Sequence, residues 1–563
     1  MAAVPPTESI VDTRRAQMFP TLAPAEVERL HRFGTIRAFT QGDRLAKAGE
    51  AGIGLSIILS GEAEITQNDG QRGTSHIVTH GPGAFMGELA QLSGRPSLVD
   101  ARALSDGEAL VIEPERLRAL LVAEAELGER IMRALILRRV GLIESGGGGP
   151  VIIGREGDPK ILRLVNFLRR NGHPYQVLDP ASDECARTLI AQFEVQAEEL
   201  PLVLCPGGQI LHDPSETALA RCLGLVGAID QDRTYDVAVI GAGPSGLATA
   251  VYAGSEGLAV LVLDCRSFGG QAGASSRIEN YLGFPTGISG MALMARAYTQ
   301  SQKFGVEFAI PDEAVRLACD AAPFRIELET AEVVQTRTVV IASGARYRRL
   351  SVPRLEEFEG TSVHYWASPL EATLCQRRHV ALVGGGNSAG QAVVYLAGHA
   401  ERITLIVRRP LEETMSRYLV DRITGLGNVE VITGYEIAAL EGDAGQIDTV
   451  VCRSRSTDRL RRVPAQQLFS FIGADPNTDW LEGSGIALDP GGFIRTGTDA
   501  EGGRHALETS RRGVFAVGDV RSGSIKRVAS SVGDGAQVVA ALHPVIEALR
   551  SEDRMATPAR VDA

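Results

Sequence analysis

Hydrophobic and polar positions along the chain fall into three stretches of different period. Between Gly42 and Ile112, short β-type runs such as Gly54 to Leu59 and Glu62 to Thr66 alternate with glycine-centred turns, which predicts a small β-roll or barrel. Glu113 to Ile143 then carries apolar residues at helical spacing. Ser145, Gly146 to Gly149 and Pro150 interrupt that pattern and predict a flexible joint. Beyond the joint, Val151 to Gly154, Tyr175 to Leu178 and Leu202 to Cys205 read as strands and Pro159 to Arg170 as a helix, a small α/β unit of about 75 residues. After a softer break at Asp230 to Arg233, the succession strand, Gly-rich turn, helix occurs twice, and no short-period repeat is present. The spans expected are 15–143 for the β-roll with its helices, 151–226 for the α/β unit, 234–350 with 476–550 for one dinucleotide-binding domain, and 351–475 for a second.

Composition narrows the picture. At a prior of about 150 residues per domain, 563 residues predict three or four folded units. Hydrophobic residues at 44% and charged residues at 22% match a globular protein and argue against disorder, collagen or a membrane bundle. Lys plus Arg number 57 against 69 Asp plus Glu, and the net charge of −12 argues against DNA or an anionic membrane as main partner. Neither a signal sequence nor a spanning apolar run is visible, so a cytoplasmic protein is expected. The cysteines at positions 185, 205, 222, 265, 319, 375 and 452 are scattered and never spaced C-x-x-C, which predicts neither a disulfide framework nor a metal site. Glycine, 63 residues, exceeds ordinary usage and points to repeated close approaches of backbone to other groups.

The apolar run Tyr235 to Ile240 leads directly into Gly241-Ala-Gly243-Pro-Ser-Gly246, a helical Leu247 to Gly257, and a second strand ending at Asp264. This is the dinucleotide fingerprint in order. Gly241 permits the tight turn, Gly243 lets the backbone reach a pyrophosphate, Gly246 lets helix pack on strand, and the helix N-terminus favours negative charge. Asp264 is placed to accept from an adenosine ribose. A second copy follows: the strand Val380 to Val383, the turn Gly384-Gly-Gly386-Asn387-Ser388-Ala389, and the strand Ile403 to Val407. Arg408 and Arg409 stand where a ribose-binding acid would be, and guanidinium groups suit a 2′-phosphate, so the second nucleotide is expected to be NADPH. The bland alternative is a pair of solvated arginines.

From about Tyr235 to Arg550 the chain resembles the two-dinucleotide flavoprotein disulfide reductases, most closely the low-molecular-weight thioredoxin reductases. Besides both fingerprints, the likeness rests on Phe268-Gly-Gly-Gln271, Ile278-Glu-Asn280-Tyr281, Gly283-Phe-Pro285 with Gly290, Ala342-Ser-Gly344-Ala345 and Gly513-Val-Phe-Ala-Val-Gly518-Asp519. It implies FAD on Gly241, Gly243, Ser245, Gly246, Asp264, Gly270, Gln271 and Asn280. Gly518 and Asp519 would lie at the ribityl chain, with Val528 and Ala529 by the flavin ring. NADPH is implied on Gly384, Gly386, Asn387, Ser388, Arg408 and Arg409, and the assembly implied is a homodimer.

One departure matters. In the resembled reductases a C-x-x-C pair just upstream of the second fingerprint carries electrons to a protein disulfide; here Trp366 and Pro369 occupy its positions. Cys375 is single and reads as a buried small hydrophobe. No catalytic residue is therefore assigned.

Residues of about 15–143 resemble the cyclic-nucleotide-binding β-roll through Gly42 to Arg44, Leu59-Ser-Gly61-Glu62 and Gly81-Pro-Gly83-Ala-Phe-Met-Gly87-Glu88-Leu89-Ala90. Gly87, Glu88 and Leu89 would take a cyclic nucleotide, yet Ser97 stands where the family's phosphate-binding arginine belongs. The loss of that cation removes a contact of about 1.5 to 3 kcal/mol. Residues of about 151–226 resemble a thioredoxin fold, with Leu200-Pro201 at the family's cis-proline and Arg155-Glu-Gly-Asp-Pro-Lys160 where its C-x-x-C would be.

The activity expected is hydride transfer from NADPH to FAD. Three acceptor readings stand: a disulfide protein of thioredoxin type reduced through cysteines elsewhere, a thiol-independent reductase of ferredoxin, flavodoxin, quinone or another small molecule, and a nucleotide-sensing redox signalling module.

Overall fold

The computed structural model describes residues 10–68, 74–87, 92, 96–145, 148–155, 157–193, 195–206, 208–226, 229–500 and 503–556. The N-terminal unit stacks two four-stranded antiparallel sheets. One runs Thr35–Phe39, Gly107–Ile112, Leu55–Ser60, Phe85–Met86, and the other Arg44–Ala46, Asp100–Ala103, Ala63–Asn68, Thr74–His80. Leu55, Ser56, Ile57 and Ile58 are all buried, which accounts for the unbroken apolar run there: the strand packs on helices with one face and on the facing sheet with the other.

The helical stretch expected over Glu113 to Ile143 consists of two helices, Pro114–Ala123 and Ala125–Ser145. The break falls at Glu124, whose buried carboxylate turns inward to receive Arg29 and Arg32. Helical periodicity cannot report such an ionic anchor.

Of the expected flexible joint, Gly146 and Gly147 lie outside the described residues. A Cβ placed on Gly149 would lie 2.0 Å from the Pro174 carbonyl oxygen, so the chain at that glycine is pressed against the middle unit. That unit is a mixed sheet in the order Gln176–Leu178, Val151–Ile153, Leu202–Leu204, Ile210–His212, with only the first pair parallel. Its helix Pro159–Arg170 begins on Asp158, whose side chain accepts from the Lys160 N–H, and buries Ile161, Leu164, Val165, Phe167 and Leu168. Leu200–Pro201 is cis. One expectation is overturned: Cys205 and Cys222 form a disulfide, with Cα atoms 6.4 Å apart. They stand seventeen positions apart in the chain, and the turn of the helix Glu216–Cys222 back onto the sheet brings them together.

The third unit holds a seven-stranded sheet in which Glu307–Ala309, Val260–Leu263, Thr234–Ile240 and Val333–Ile341 run parallel. Val514–Ala516 returns from far along the chain to pair with Val333–Ile341. The intervening residues build a five-stranded parallel sheet: Val363–His364, Gln467–Ser470, His379–Val383, Arg402–Val407, Val429–Thr433. A short antiparallel pairing, Ala345–Arg346 with Asp475–Pro476, marks the crossing between the two sheets. Among the described residues no helix is long and apolar enough to cross a membrane.

Candidate functional site

The first glycine turn is shaped by contact. Gly241 has φ +111°, and a Cβ there would sit 2.2 Å from the Ala342 carbonyl oxygen. On Gly246 it would sit 1.8 Å from the Gly241 carbonyl oxygen. Gly243 caps the helix Pro244–Ser255, which starts before the Leu247 expected, and its nearest neighbour is the Gly270 Cα at 3.9 Å. Helix and turn therefore press on each other at Gly246, while Gly243 keeps an open approach to the first N–H groups of the helix.

Asp264 closes this turn. Its Oδ2 accepts from the Ala242 N–H at 2.9 Å, and its Oδ1 accepts from Arg266 and Ser267 N–H at 3.0 and 3.1 Å. The carboxylate fixes the loop geometry and retains lone pairs for a further donor. Ser245 is buried against Gly518. The Gln271 amide donates to the Ala345 carbonyl, binding this loop to the inter-sheet crossing, and Asn280 is exposed.

At the same carboxyl end of that sheet, just past the strand Val514–Ala516, Gly518 (φ +73°) donates its N–H to Asp534 at 3.0 Å. Asp519 follows with Oδ1 buried and without a partner among the described residues, and burial pushes its carboxyl above the ordinary aspartate range against the pull of Lys526. Lys526 Nζ donates to the Asp519 carbonyl oxygen at 2.5 Å, and the long helix Val528–Ala556 begins two residues later, placing Val528 and Ala529 at its N-terminus.

In the second turn Gly384 has φ +143°, with the Phe471 carbonyl oxygen 2.6 Å from where a Cβ would be. Gly386 caps the helix Asn387–Leu396. The Asn387 side chain is spent on the neighbouring loop: its Nδ2 donates to Ser416 Oγ at 2.9 Å and its Oδ1 accepts from the Ser416 N–H at 2.7 Å. Arg408 and Arg409 are exposed just beyond the strand Arg402–Val407, and Arg409 lies 3.9 Å from Glu413.

Tyr347 escaped the sequence reading. It follows the crossing between the sheets, packs edge-on to Phe471 at 5.2 Å, and its ionisation is influenced by Ser388 and by the Asp519 charge. One phenol thus meets residues of both glycine-turn systems, and burial raises its pKa. The only sequence signal was its place after Ala342-Ser-Gly-Ala345.

Where the cysteine pair was expected, Trp366 Nε1 donates to Glu371 Oε1 at 2.9 Å, and the Ser368 N–H reaches Glu371 Oε2 at 3.0 Å. Pro369 opens the short helix Pro369–Leu374. Cys375 is fully buried in an apolar cluster, and burial pushes its thiol up to about 12. Cys452 occupies a different cluster, its thiol raised to about 11. Glu371, buried and bonded to the indole, was not anticipated.

The β-roll encloses a cavity of about 290 Å³, lined by Gly87, Ser97, His80 and Arg138 among others. Arg138 comes from the helix Ala125–Ser145 and donates to the carbonyl oxygens of Met18, Gly87 and Phe85 at 2.8, 3.1 and 3.1 Å. Burial and the Arg138 charge hold His80 neutral, its pKa pulled down to about 3. Ser97 Oγ donates to the Val99 carbonyl at 2.9 Å. Glu88 and Leu89 lie outside the described residues.

A family profile described as "Pyridine nucleotide-disulphide oxidoreductase" matches residues 235–535, more than half of the chain, and one described as "Cyclic nucleotide-binding domain" matches residues 36–124. The chain is 32% identical over 315 residues to the 34.2 kDa protein in the rubredoxin operon of Clostridium pasteurianum, a match spanning 55% of this chain and 96% of that protein. Thioredoxin reductase of Bacillus subtilis is 28% identical over 322 residues, or 57% and 98% of the two chains. NADPH-dependent thioredoxin reductase 3 of Arabidopsis thaliana is 32% identical over 308 residues, which make up 53% of this chain and only 56% of that protein. The crystal structure of T. acidophilum thioredoxin reductase superposes with a TM-score of 0.52 at 28% identity, covering 55% of this chain and 98% of that one. The chain therefore belongs to the pyridine nucleotide-disulphide oxidoreductase family, as a thioredoxin reductase-like FAD- and NAD(P)H-dependent oxidoreductase with an N-terminal cyclic nucleotide-binding domain.

Proposed function

We propose that the chain moves a hydride from NADPH to FAD and passes the electrons on without a C-x-x-C couple of its own, to an acceptor such as an iron–sulfur carrier, a flavodoxin or a quinone. In this reading FAD lies along Gly241, Gly243, Ser245, Gly246, Asp264, Gly270, Gln271 and Asn280, with its ribityl chain at Gly518 and Asp519 and its ring by Val528 and Ala529. Two features support the fit: the open approach at Gly243, and the buried Asp519 Oδ1 that lacks a partner among the described residues and suits a hydroxyl donor. NADPH lies along Gly384, Gly386, Asn387 and Ser388, with Arg408 and Arg409 on the 2′-phosphate; their exposure leaves both guanidinium groups accessible. Bound FAD supplies the two-electron chemistry. The protein's part is to orient the nucleotides through the two glycine turns, with Tyr347 set between them.

One observation carries the thiol-independent step. Trp366 and Pro369 stand at the redox positions, Trp366 is fixed on Glu371, and the nearby Cys375 is buried with its thiolate strongly disfavoured. The Cys205–Cys222 disulfide favours a second reading, in which electrons leave through a thiol pair distant from that segment. The deciding experiment reduces the flavin with NADPH in a stopped-flow instrument, then adds thioredoxin, dithionitrobenzoate, ferredoxin or quinone, before and after alkylation of the NADPH-reduced protein. Acceptor turnover that survives alkylation and Cys205→Ser supports the first reading. Turnover of disulfides that either treatment abolishes establishes the second in its place.

A further inference from the structure

The helix Pro159–Arg170 of the middle unit ends against the loop of Gly269 and Gly270, which lies on the first glycine turn. Arg170 Nη2 donates to the Gly270 carbonyl oxygen at 3.0 Å, and the buried Asn171 donates to the Arg266 carbonyl oxygen at 3.2 Å. Gly270 in turn lies on Gly243: a Cβ built on it would come within 3.0 Å of the Gly243 Cα. Arg170 therefore reaches the turn where the open backbone approach was found.

Three donors around this point have nothing to donate to among the described residues. Arg170 Nε, Arg266 Nε and Ser267 Oγ are all buried and without a hydrogen-bond partner there. Arg266 is otherwise committed, its Nη2 to Glu216 at 3.0 Å and its guanidinium plane to the Trp366 ring at 5.6 Å. Burial and the facing Arg266 charge pull the Arg170 guanidinium below its usual basicity, against the opposing influence of Asp264 and Glu216. Two guanidinium groups side by side, Arg266 paired with Glu216 and each group with a buried Nε–H left idle, are an arrangement that an anion rich in acceptor oxygens completes.

We propose that Arg170, a residue of the middle unit, binds the FAD pyrophosphate together with Arg266 and Ser267. The inference rests on the placement of FAD at the Gly241 turn given above. It makes the middle unit part of the flavin site: the unit that carries no C-x-x-C contributes a cation to the cofactor.

The test uses the full chain stripped of flavin and titrated with FAD and, separately, with ADP. Arg170→Gln is expected to weaken both by about 10- to 100-fold, the value of a hydrogen bond to a charged group. The melting temperature of the flavin-free protein should stay close to that of the unaltered chain. Ser267→Ala, a smaller change, should weaken both nucleotides in the same direction. Equal FAD and ADP affinities for Arg170→Gln and the unaltered chain would overturn the proposal. So would a lowered flavin-free melting temperature with affinities intact, since Arg170 would then be only a tie between units. An unaltered chain that binds no FAD at all is a separate result, and brings down the reading of the Gly241 turn itself.

Discussion

Alanine substitutions at Gly243 and Gly246, neighbours in one turn, should fail in opposite ways. At Gly246 the added Cβ would stand 1.8 Å from the Gly241 carbonyl oxygen, where a carbon–oxygen contact needs about 3.3 Å, so helix and turn must separate by roughly 1.5 Å. Both partners are backbone and cannot rotate away. Overpacking of this kind costs about 1 to 3 kcal/mol, which for a unit of this size lowers the melting temperature by roughly 2 to 12 °C. At Gly243 the backbone is extended (φ −74°, ψ −173°), and the nearest atom to a new Cβ is 3.9 Å away. Gly243→Ala should leave the flavin-free protein within about 0.5 kcal/mol of the original while filling the approach to the pyrophosphate. Loss of charge-assisted backbone contacts there predicts FAD binding weaker by about 10- to 100-fold. Calorimetric melting of the flavin-free proteins and titration with FAD separate the two effects. Unchanged FAD affinity in Gly243→Ala, or unchanged melting in Gly246→Ala, would refute the assignment of tight turn and phosphate seat to these two glycines.

Three further outcomes are expected. Asp312 is buried, with its carboxyl raised from 3.8 to about 6 chiefly by desolvation. The folded chain then holds that proton more tightly than the unfolded one, so stability falls as pH rises from about 4 to about 6, by up to roughly 3 kcal/mol. Asp312→Asn should flatten this part of a denaturation-versus-pH curve. Tyr347→Phe should slow stopped-flow reduction of the flavin by NADPH about 3- to 10-fold, because the phenol hydroxyl beside Ser388 is removed and its ring packing on Phe471 kept. FAD affinity, measured alongside, should hold. Replacing Arg408 and Arg409 together by Ala should raise KM for NADPH by about tenfold or more and leave KM for NADH nearly unchanged in steady-state assays.

Local features were readable in the sequence because their causes are local. Gly241 and Gly384 both have positive φ at the end of a buried strand, and such a strand and such a glycine mark themselves within a few residues. The apolar strand Leu55–Ser60 and the amphipathic helix Pro159–Arg170 are legible for the same reason. What could not be read depends on how units meet. Glu124, at the break between two helices, is met by Arg29 and Arg32 from some ninety positions earlier in the chain. Cys205 finds Cys222 across a helix turn, Arg170 finds Gly270 a hundred positions away, and Tyr347 finds Ser388 across the crossing between two sheets. Periodicity and motif spacing carry no information about such encounters.

Arg138 grips the rim of the β-roll cavity, and its successor on the same helix, Arg139, donates to the Gly172 carbonyl oxygen at 2.9 Å. Gly172 directly follows Arg170 and Asn171, which donate to the Gly270 and Arg266 carbonyl oxygens. Consecutive residues of the helix Ala125–Ser145 therefore bond to the wall of the β-roll cavity and to the segment that holds the loop beside the first glycine turn. The N-terminal unit, the middle unit and that loop are joined by one continuous run of side-chain-to-backbone hydrogen bonds, so the joint between them is stitched rather than loose.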